Sequence, residues 1–259
     1  MLTELKDFWV YREVLKNLTA QQIKVRYRRS ALGFLWTLLN PLLTMAILTL
    51  VFSKLMRFPQ KEYAIYLFSG LVPWTFLSQS VDLARSIFIT NEGFLRRIYV
   101  PKVIFPFSVV LSNLANFILS LFVLFILGIV FFNLKLTPAL IFLPISVFVL
   151  IIFTSALAII FAVLTVFYRD FSHLTNLLLM LLFYGTPIIY PADMLPQQYL
   201  PLFLLNPMYH ILELFHQPIY YHVFPSASTV LISVFYSVGT LCVAYFYVSF
   251  NRYNVVYRL

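Results

Sequence analysis

The sequence predicts an all-α integral membrane protein with six transmembrane helices. Only 10% of its 259 residues are charged and 62% are hydrophobic, whereas soluble domains carry about 25% charged residues. The hydrophobic residues also form long stretches without charge, and a helix needs roughly 20 apolar residues to cross a bilayer. About six such crossings use nearly half of the chain, so we expect no large soluble domain.

Residues 1–30 are predicted to form an amphipathic helix that lies in the membrane surface. Its apolar residues recur every three or four positions, at Leu5, Phe8, Tyr11, Leu15 and Leu18. Lys6, Arg12 and Lys16 lie mostly beside or opposite this stripe. An apolar stripe with a basic opposite face is typical of a helix in the membrane interface. The same pattern also fits an ordinary amphipathic helix packed on a soluble partner.

Residues 31–259 are predicted to form the six-helix transmembrane domain. The spans are expected at about 31–53, 63–84, 103–134, 137–168, 172–190 and 227–250. The third and fourth of these stretches contain no charged residue. Both are longer than one straight crossing requires at 1.5 Å per residue, so we expect each to extend beyond the hydrocarbon.

Two segments between the spans are predicted to form short helices. Residues 91–102 carry four charged side chains between two apolar regions. Asn-Glu-Gly opens this segment as a turn and Pro101 ends it, which indicates a small cytoplasmic helix over 91–99. Residues 191–226 are apolar but contain six prolines, so no continuous helix runs through them. We expect short re-entrant helices that dip into the membrane from the far side.

The distribution of lysine and arginine predicts the orientation of the chain. Six spans place both termini on one side, and that side then carries fourteen of the eighteen cations. The other four are Lys54, Arg57, Lys61 and Lys135. Since positively charged loops stay in the cytoplasm, both termini and the segment 91–102 are predicted to be cytoplasmic.

Several kinds of chemistry are disfavoured by the sequence. No glycine is followed by lysine, so a phosphate-binding P-loop is absent. The single cysteine, Cys242, excludes a multi-thiolate metal site, and the histidines are not spaced as metal ligands. Acidic residues fall near span ends or in 191–226, which argues against an ion-coupled carrier, although Glu213 keeps that alternative open. We therefore expect no catalytic residue, no metal and no cofactor on this chain, and no nucleic-acid partner.

Aromatic side chains are abundant, with 28 Phe, 17 Tyr and 3 Trp. Tyr and Trp commonly anchor a protein at the membrane interfaces, which is the simplest interpretation of most of them. Aromatic faces also stack against the C–H faces of sugar rings and offer a sequence-tolerant platform. The candidates for such a lining are Phe34, Trp36, Trp74, Tyr184 and Tyr190.

Five ordered motifs give the chain a resemblance to a known family. They are KVRYRRSALGFLWTLLNPLL at 24–43, NEGFLRRIYVPKVIFP at 91–106, YRDF at 168–171, GTPIIY at 185–190 and LNPM at 205–208. Over nearly its whole length the chain resembles the permease subunit of type-2 ABC exporters. It is most similar to the Wzm-type permeases that export O-antigen and related polysaccharides.

The resemblance implies a homodimer of permeases bound to two copies of a separate Wzt-type ATPase, which would hold the ATP and Mg. Residues 1–30 would be the interface helix, residues 91–99 the coupling helix and residues 191–226 the gate on the outer side. The residues that would contact the ATPase are Glu92, Gly93, Phe94, Arg96 and Arg97. The substrate would be a polysaccharide on undecaprenyl pyrophosphate, moved across the bacterial inner membrane from cytoplasm to periplasm.

The basic residues before the first span have two interpretations. Arg26, Arg28 and Arg29 would lie near the cytoplasmic headgroups, where they would hold anionic lipid or attract the pyrophosphate of a lipid-linked substrate. The sequence leaves both open.

Other substrates and classes remain alternatives. A teichoic acid, capsule, lipid or drug exporter of the same fold would have a closely similar sequence pattern. A membrane enzyme acting on polyprenyl-linked sugars would need a cluster of acids or a metal site, and the nine Asp and Glu are scattered.

Overall fold

The computed structural model of the chain describes residues 9–28, 35–55, 59–97, 99–194, 196–251 and 254–258. These residues form helices and connections, with no β-strand among them, so the predicted all-helical fold is confirmed. The α-helices are α1 (Arg12–Tyr27), α2 (Trp36–Leu55), α3 (Gln60–Ala84), α4 (Ile87–Thr90), α5 (Glu92–Leu95), α6 (Ile104–Phe132), α7 (Leu143–Phe167), α8 (Phe171–Tyr184), α9 (Leu200–Leu204), α10 (Pro207–His216), α11 (Ala227–Asn251) and α12 (Asn254–Arg258). Short 3₁₀ helices cover Pro138–Phe142 and Ala192–Met194, and a π-helix covers Gln217–Tyr221.

Three helical stretches are long and apolar enough to cross a membrane. They are Ile104–Phe132, Pro138–Phe167 and Ala227–Asn251, at the third, fourth and sixth predicted spans. Two shorter apolar helices, Leu42–Leu55 and Phe171–Tyr184, fall at the first and fifth predicted spans. The chain is therefore a multi-pass membrane protein, and the count of six spans remains a prediction.

Helix α3 forms the centre of the core. It packs against α2, α6, α7 and α10, and sixteen of its 25 residues are buried. These contacts place α3 at the middle of the molecule, although α6 and α7 are more apolar.

Helices α7 and α11 pack closely through small residues. All the buried residues of α11 are small: Ser233, Ser237 and Ala244. Ala244 lies with Ala156 and Ile159 of α7 in a separate apolar cluster. Small side chains on one face let the two backbones approach, which is how helices associate when lipid removes the usual hydrophobic driving force.

Helix α1 packs against α6. Leu18 is buried in this contact and Leu15 is half-buried, whereas Trp9 and Val25 are exposed. Leu5 and Phe8, the first members of the predicted apolar stripe, lie outside the described residues. The described half of the stripe therefore faces protein.

The fifth predicted span, 172–190, contains a shorter helix than the sequence suggested. Helix α8 ends at Tyr184 after 14 residues, about 21 Å at 1.5 Å per residue, compared with a hydrocarbon core of about 30 Å. Residues 185–190 leave the helix axis because their carbonyl groups are held by tyrosines of α3, as described below.

The two segments with predicted short helices also have observed bounds. Residues 91–99 contain one helical turn, Glu92–Leu95, preceded by a second turn, Ile87–Thr90. Asn91 separates the two turns, and Pro101 prevents continuation into α6. Residues 191–226 contain the short helices α9 and α10, the 3₁₀ turn Ala192–Met194 and the π-helix, in agreement with the expected absence of a continuous helix.

Candidate functional site

The charged segment, residues 91–102, is fastened to the core by its apolar residues. Leu95 and Val100 are buried, and the Phe94 ring makes an edge contact with Phe105 of α6, with centroids 5.9 Å apart. The segment is therefore held in a fixed place even though its helix α5 has only one turn.

The polar side chains of the charged segment face outward. Arg96 and Arg97 are exposed, and Arg96 Nη2 lies 2.8 Å from Glu92 Oε1. This i,i+4 pair stabilises the single turn of α5, although an exposed ion pair contributes little free energy. A Cβ built on Gly93 would meet no atom within 4 Å, so the surface there is open. Of the five predicted ATPase contacts, Gly93, Phe94, Arg96 and Arg97 are exposed and Glu92 is half-buried, and their role stays a prediction.

Arg85 joins the same end of the core to α8. Its guanidinium lies 3.0 Å from Asp82 Oδ1 and donates to Asn176 Oδ1, also at 3.0 Å, as well as to the Ser172 carbonyl. Asp82 and Arg85 have the i, i+3 spacing of a local ion pair, whereas nothing in the sequence indicated the contact with α8. This tether connects the start of α8 to the end of α3.

A polar groove of about 470 Å³ lies between α1, α2, α3 and α6. Its uncharged polar lining residues are Asn40, Thr75, Gln79, Asn113, Asn116 and Ser120. The charged residues at its wall are Arg26 and Asp82. Most of the lining surface is nevertheless apolar and comes from Trp36, Leu71, Val72, Phe76, Leu83 and Phe117. The volume falls in the usual range for small-ligand sites, roughly 300–1,000 Å³. Sequence reasoning nominated Arg26 and Trp36 but none of the amide side chains.

The structure separates the predicted basic residues. Arg26 lines the polar groove, whereas Arg28 lies on an exposed face of α1 beside Lys24. Arg29 lies outside the described residues. In the described part of α1, Lys16 donates a hydrogen bond to Glu13 (2.9 Å), which lowers the pKa of that carboxyl. The cations near the end of the helix have no such carboxylate partner among the described residues.

The predicted aromatic residues do not converge on one site. Trp36 is 49% exposed at the polar groove, whereas Trp74 is 6% exposed and packs in the core against Phe183, with centroids 5.6 Å apart. Tyr184 is exposed at the end of α8, and the Tyr190 hydroxyl donates to its carbonyl at 2.6 Å. Phe34 lies outside the described residues.

Two tyrosines of α3 hold the 185–190 loop by its backbone. The Tyr66 hydroxyl lies 2.8 Å from Pro187 O and 2.9 Å from Tyr190 O, and the Tyr63 hydroxyl donates to Ile189 O at 2.8 Å. Both tyrosines are buried. Buried carbonyls that leave a helix need such partners, so these hydroxyls explain why the chain turns after Tyr184.

His216 of α10 completes this buried network. Its ring stacks on Tyr66 with centroids 4.5 Å apart, and its Nδ1 lies 2.8 Å from the Ser69 hydroxyl. A Cβ on Gly70 would come within 2.9 Å of His216 Cε1, so only glycine allows α10 to approach α3 this closely. Sequence reasoning missed this cluster, because His216 lies 147 residues from Ser69 along the chain.

Asn206 links two of the sequence motifs. Its Nδ2 donates to Gly185 O and Thr186 Oγ1, both at 2.8 Å, and its Oδ1 accepts from Met208 N–H at 2.9 Å. One side chain thus caps α10 and clamps the loop that follows α8. The motifs GTPIIY and LNPM form a single structural unit.

The Asn206 clamp predicts two different mutant phenotypes. We expect Asn206→Ala to lower the free energy of unfolding by about 1–3 kcal/mol, since it removes a helix cap and leaves Gly185 O without its donor. Asn206→Asp keeps the capping oxygen and loses the donor, so it should show protease sensitivity at 185–190 with a smaller loss of stability. Thermal unfolding and limited proteolysis of the purified protein measure the two effects. Equal behaviour of the two variants and the wild type would contradict the clamp.

Residues 13–220 of the chain match the ABC-2 type transporter family. The chain is 34% identical over 233 residues to the O-antigen export system permease protein RfbA of Myxococcus xanthus, covering 89% of both chains. It is 32% identical over 199 residues to the protein of the same name from Klebsiella pneumoniae, covering 76% of each. The polysialic acid transport protein KpsM of Escherichia coli is 25% identical over 222 residues, 80% of this chain and 81% of that one. The chain therefore belongs to the ABC-2 type transporter family of membrane proteins, as its motifs predicted.

Proposed function

We propose that this chain is the membrane-spanning subunit of an ATP-driven exporter that moves undecaprenyl-pyrophosphate-linked polysaccharide, of the O-antigen type, from the cytoplasm to the periplasm. The observation that carries the proposal is the similarity to a protein named for O-antigen export, which extends over 89% of both chains. A polymer with many hydroxyl groups cannot cross hydrocarbon unaided, since each unpaired polar group costs several kcal/mol. A membrane subunit must therefore supply a shielded path.

The energy for export comes from a separate ATPase in this proposal. The chain has no P-loop in its sequence, so it requires a partner to hydrolyse ATP by that route. The charged segment is the docking surface for the partner, because it is exposed, basic and fastened to both α6 and the core. Residues Glu92, Gly93, Phe94, Arg96 and Arg97 form the contact. ATP and Mg bind to the partner, and movement of the charged segment is transmitted into α3 and α6.

The proposed assembly is a homodimer with two copies of the ATPase, in the bacterial inner membrane with both termini in the cytoplasm. The orientation rests on the excess of cations on one side. The dimer is supported by α8, because only one residue of this helix is buried and its apolar residues Leu174, Leu177 and Leu181 are exposed. A 14-residue helix is short for a lipid-facing span, whereas it suits a contact between two protomers.

The remaining predicted roles belong to the two faces of the membrane. Helix α1 lies at the inner surface, where Arg26, Arg28 and Arg29 bind lipid phosphate or the pyrophosphate of the substrate. Residues 191–226 form the outer gate, since α9 and α10 are short and the Asn206 clamp ties them to the end of α8. Trp36, Tyr184 and Tyr190 contribute aromatic surface to the path.

Reconstitution tests the proposal directly. Membrane vesicles containing the chain and its ATPase should transfer lipid-linked polymer across the bilayer when ATP is added. Vesicles with the chain alone, or with an ATPase that cannot hydrolyse ATP, should transfer none. Transport by the chain alone would contradict the proposal that a separate ATPase supplies the energy. Transport driven by an ion gradient would favour the ion-coupled alternative.

A capsule exporter is the second candidate. The match to KpsM, a protein named for polysialic acid transport, supports export of another polysaccharide at 25% identity, but the higher identity to the proteins named for O-antigen export favours the first. Supplying the reconstituted complex with each type of lipid-linked polymer in turn distinguishes the two.

A further inference from the structure

The polar groove between α1, α2, α3 and α6 contains a buried hydrogen-bond acceptor without a partner. Asn113 is 2% exposed and its Nδ2 donates to Ser80 Oγ at 3.0 Å. Within the described part of the chain, however, Asn113 Oδ1 accepts no hydrogen bond. Buried amide oxygens are nearly always paired, because leaving one unpaired forfeits its hydration. Asn113 is one of the residues that line the groove, and a ligand that reaches its oxygen there would supply the missing hydrogen bond.

The other groups at the groove wall narrow the chemistry of that ligand. Gln79 and Asn40 are exposed there, and each amide offers donors as well as an acceptor. The half-exposed Trp36 ring supplies an apolar face. Amides that both donate and accept, next to an aromatic face, match a molecule with several hydroxyl groups and an apolar ring face.

Charge at the groove does not favour a phosphate. Arg26 is the one cation among the described residues at its wall, and the carboxylate of Asp82 also lies there. Tight phosphate sites use several charge-assisted donors and place no carboxylate beside them. A neutral ligand fits this balance better than an anion.

We infer that this groove is a binding subsite for a neutral sugar unit of the exported polymer, with Asn113 Oδ1 and the Gln79 amide bonded to sugar hydroxyls and Trp36 stacked on the ring. The inference rests on the proposed function and assigns a substrate contact to each protomer. The groove extends from Leu71 to Leu83 along α3, about 18 Å at 1.5 Å per residue. Its polar lining thus shields part of the polymer between predicted spans.

Paired variants test the subsite in the reconstituted vesicles. We expect Asn113→Leu and Gln79→Leu each to lower the rate of polymer transfer about fivefold or more, since each removes hydrogen bonds to the substrate. Ser112→Ala is the matched control: Ser112 is the buried neighbour of Asn113 on α6, and its hydroxyl bonds to the Val109 carbonyl of its own helix at 2.8 Å. This variant should transfer polymer at the wild-type rate.

A labelling experiment measures the binding of sugar to the groove independently of transport. Gln79→Cys in a Cys242→Ser background should react with a charged methanethiosulfonate reagent in the purified complex with its ATPase. Oligosaccharides released from the cell's own polymer should slow that reaction at least threefold. Arg169→Cys, at an exposed position outside the groove, should react at the same rate with and without them.

The outcomes separate this inference from the proposed function. If wild-type vesicles transfer no polymer, the proposed function fails first. If they do, and Gln79→Leu transfers at the wild-type rate or oligosaccharides leave the Gln79→Cys reaction unchanged, the subsite is overturned. A loss confined to Asn113→Leu would also overturn it, because that pattern indicates a structural role for the buried amide.

Discussion

Reversing both arginines of the charged segment, Arg96→Glu with Arg97→Glu, is expected to reduce polymer export at least tenfold while the chain remains in the membrane. Both side chains are exposed, and the buried Leu95 that fastens the segment is untouched. Like charges placed against each other across an interface cost several kcal/mol, so the ATPase should no longer dock productively. ATP hydrolysis by the ATPase should continue, so more ATP should be consumed per polymer exported.

Two control variants separate docking from local stability. Glu92→Arg with Arg96→Glu exchanges the charges of the 2.8 Å pair and retains the pair itself. Export should still fall in this variant if charges on the ATPase are complementary to the individual charges at positions 92 and 96. Arg169→Glu reverses an exposed cation outside the segment and should leave export unchanged. Wild-type export by the double reversal would show that the ATPase docks elsewhere.

Replacing Gly70 by valine should strongly destabilise the fold. The new Cβ would lie 2.9 Å from His216 Cε1 and 3.0 Å from Nε2. His216 cannot move aside easily, since it is fully buried, stacked on Tyr66 and in contact with Ser69. Overpacking of this kind costs about 1–3 kcal/mol, which thermal unfolding of the purified protein would measure as a lowered Tm.

Gly239 provides the matched control for Gly70. A Cβ at this position in α11 would meet no atom within 4 Å, so Gly239→Ala should be neutral or slightly stabilising. Adding His216→Ala to Gly70→Val should recover part of the lost stability, because it removes the colliding ring. Additive losses in that double variant would show that the clash is not with His216.

The two longest apolar helices were predictable because nothing interrupts their hydrophobic runs. Helix α6 extends over Ile104–Phe132 where the sequence predicted 103–134, and α7 ends one residue before the predicted boundary at 168. Helix ends that depend on distant partners were not predictable. Residues 185–190 fell inside the predicted fifth span, but they leave α8, and Tyr63 and Tyr66 hold their carbonyls from α3.

Site residues likewise divide into those that the local sequence predicts and those that only the structure identifies. The contacts predicted for the charged segment came from a local pattern of charge, glycine and proline, and they stay a prediction. The location of the aromatic candidates could not be predicted from the sequence, since hydropathy does not distinguish the buried Trp74 from the exposed Trp36. Asn113 could not be predicted as a site residue either, because a single amide in an apolar run is common. Only the structure shows that its oxygen has no hydrogen-bond partner among the described residues.

By itself, the sequence determined that this is a helical membrane protein of the ABC-2 family with a charged segment between apolar helices, because composition and local motifs are properties of neighbouring residues. Only the tertiary structure decided which helix lies at the centre, where α8 stops and which polar groups share a groove. Those features depend on contacts between residues far apart in the chain, such as Tyr66 with Pro187 and Asn206 with Gly185. Their free energy is gained only when the helices pack.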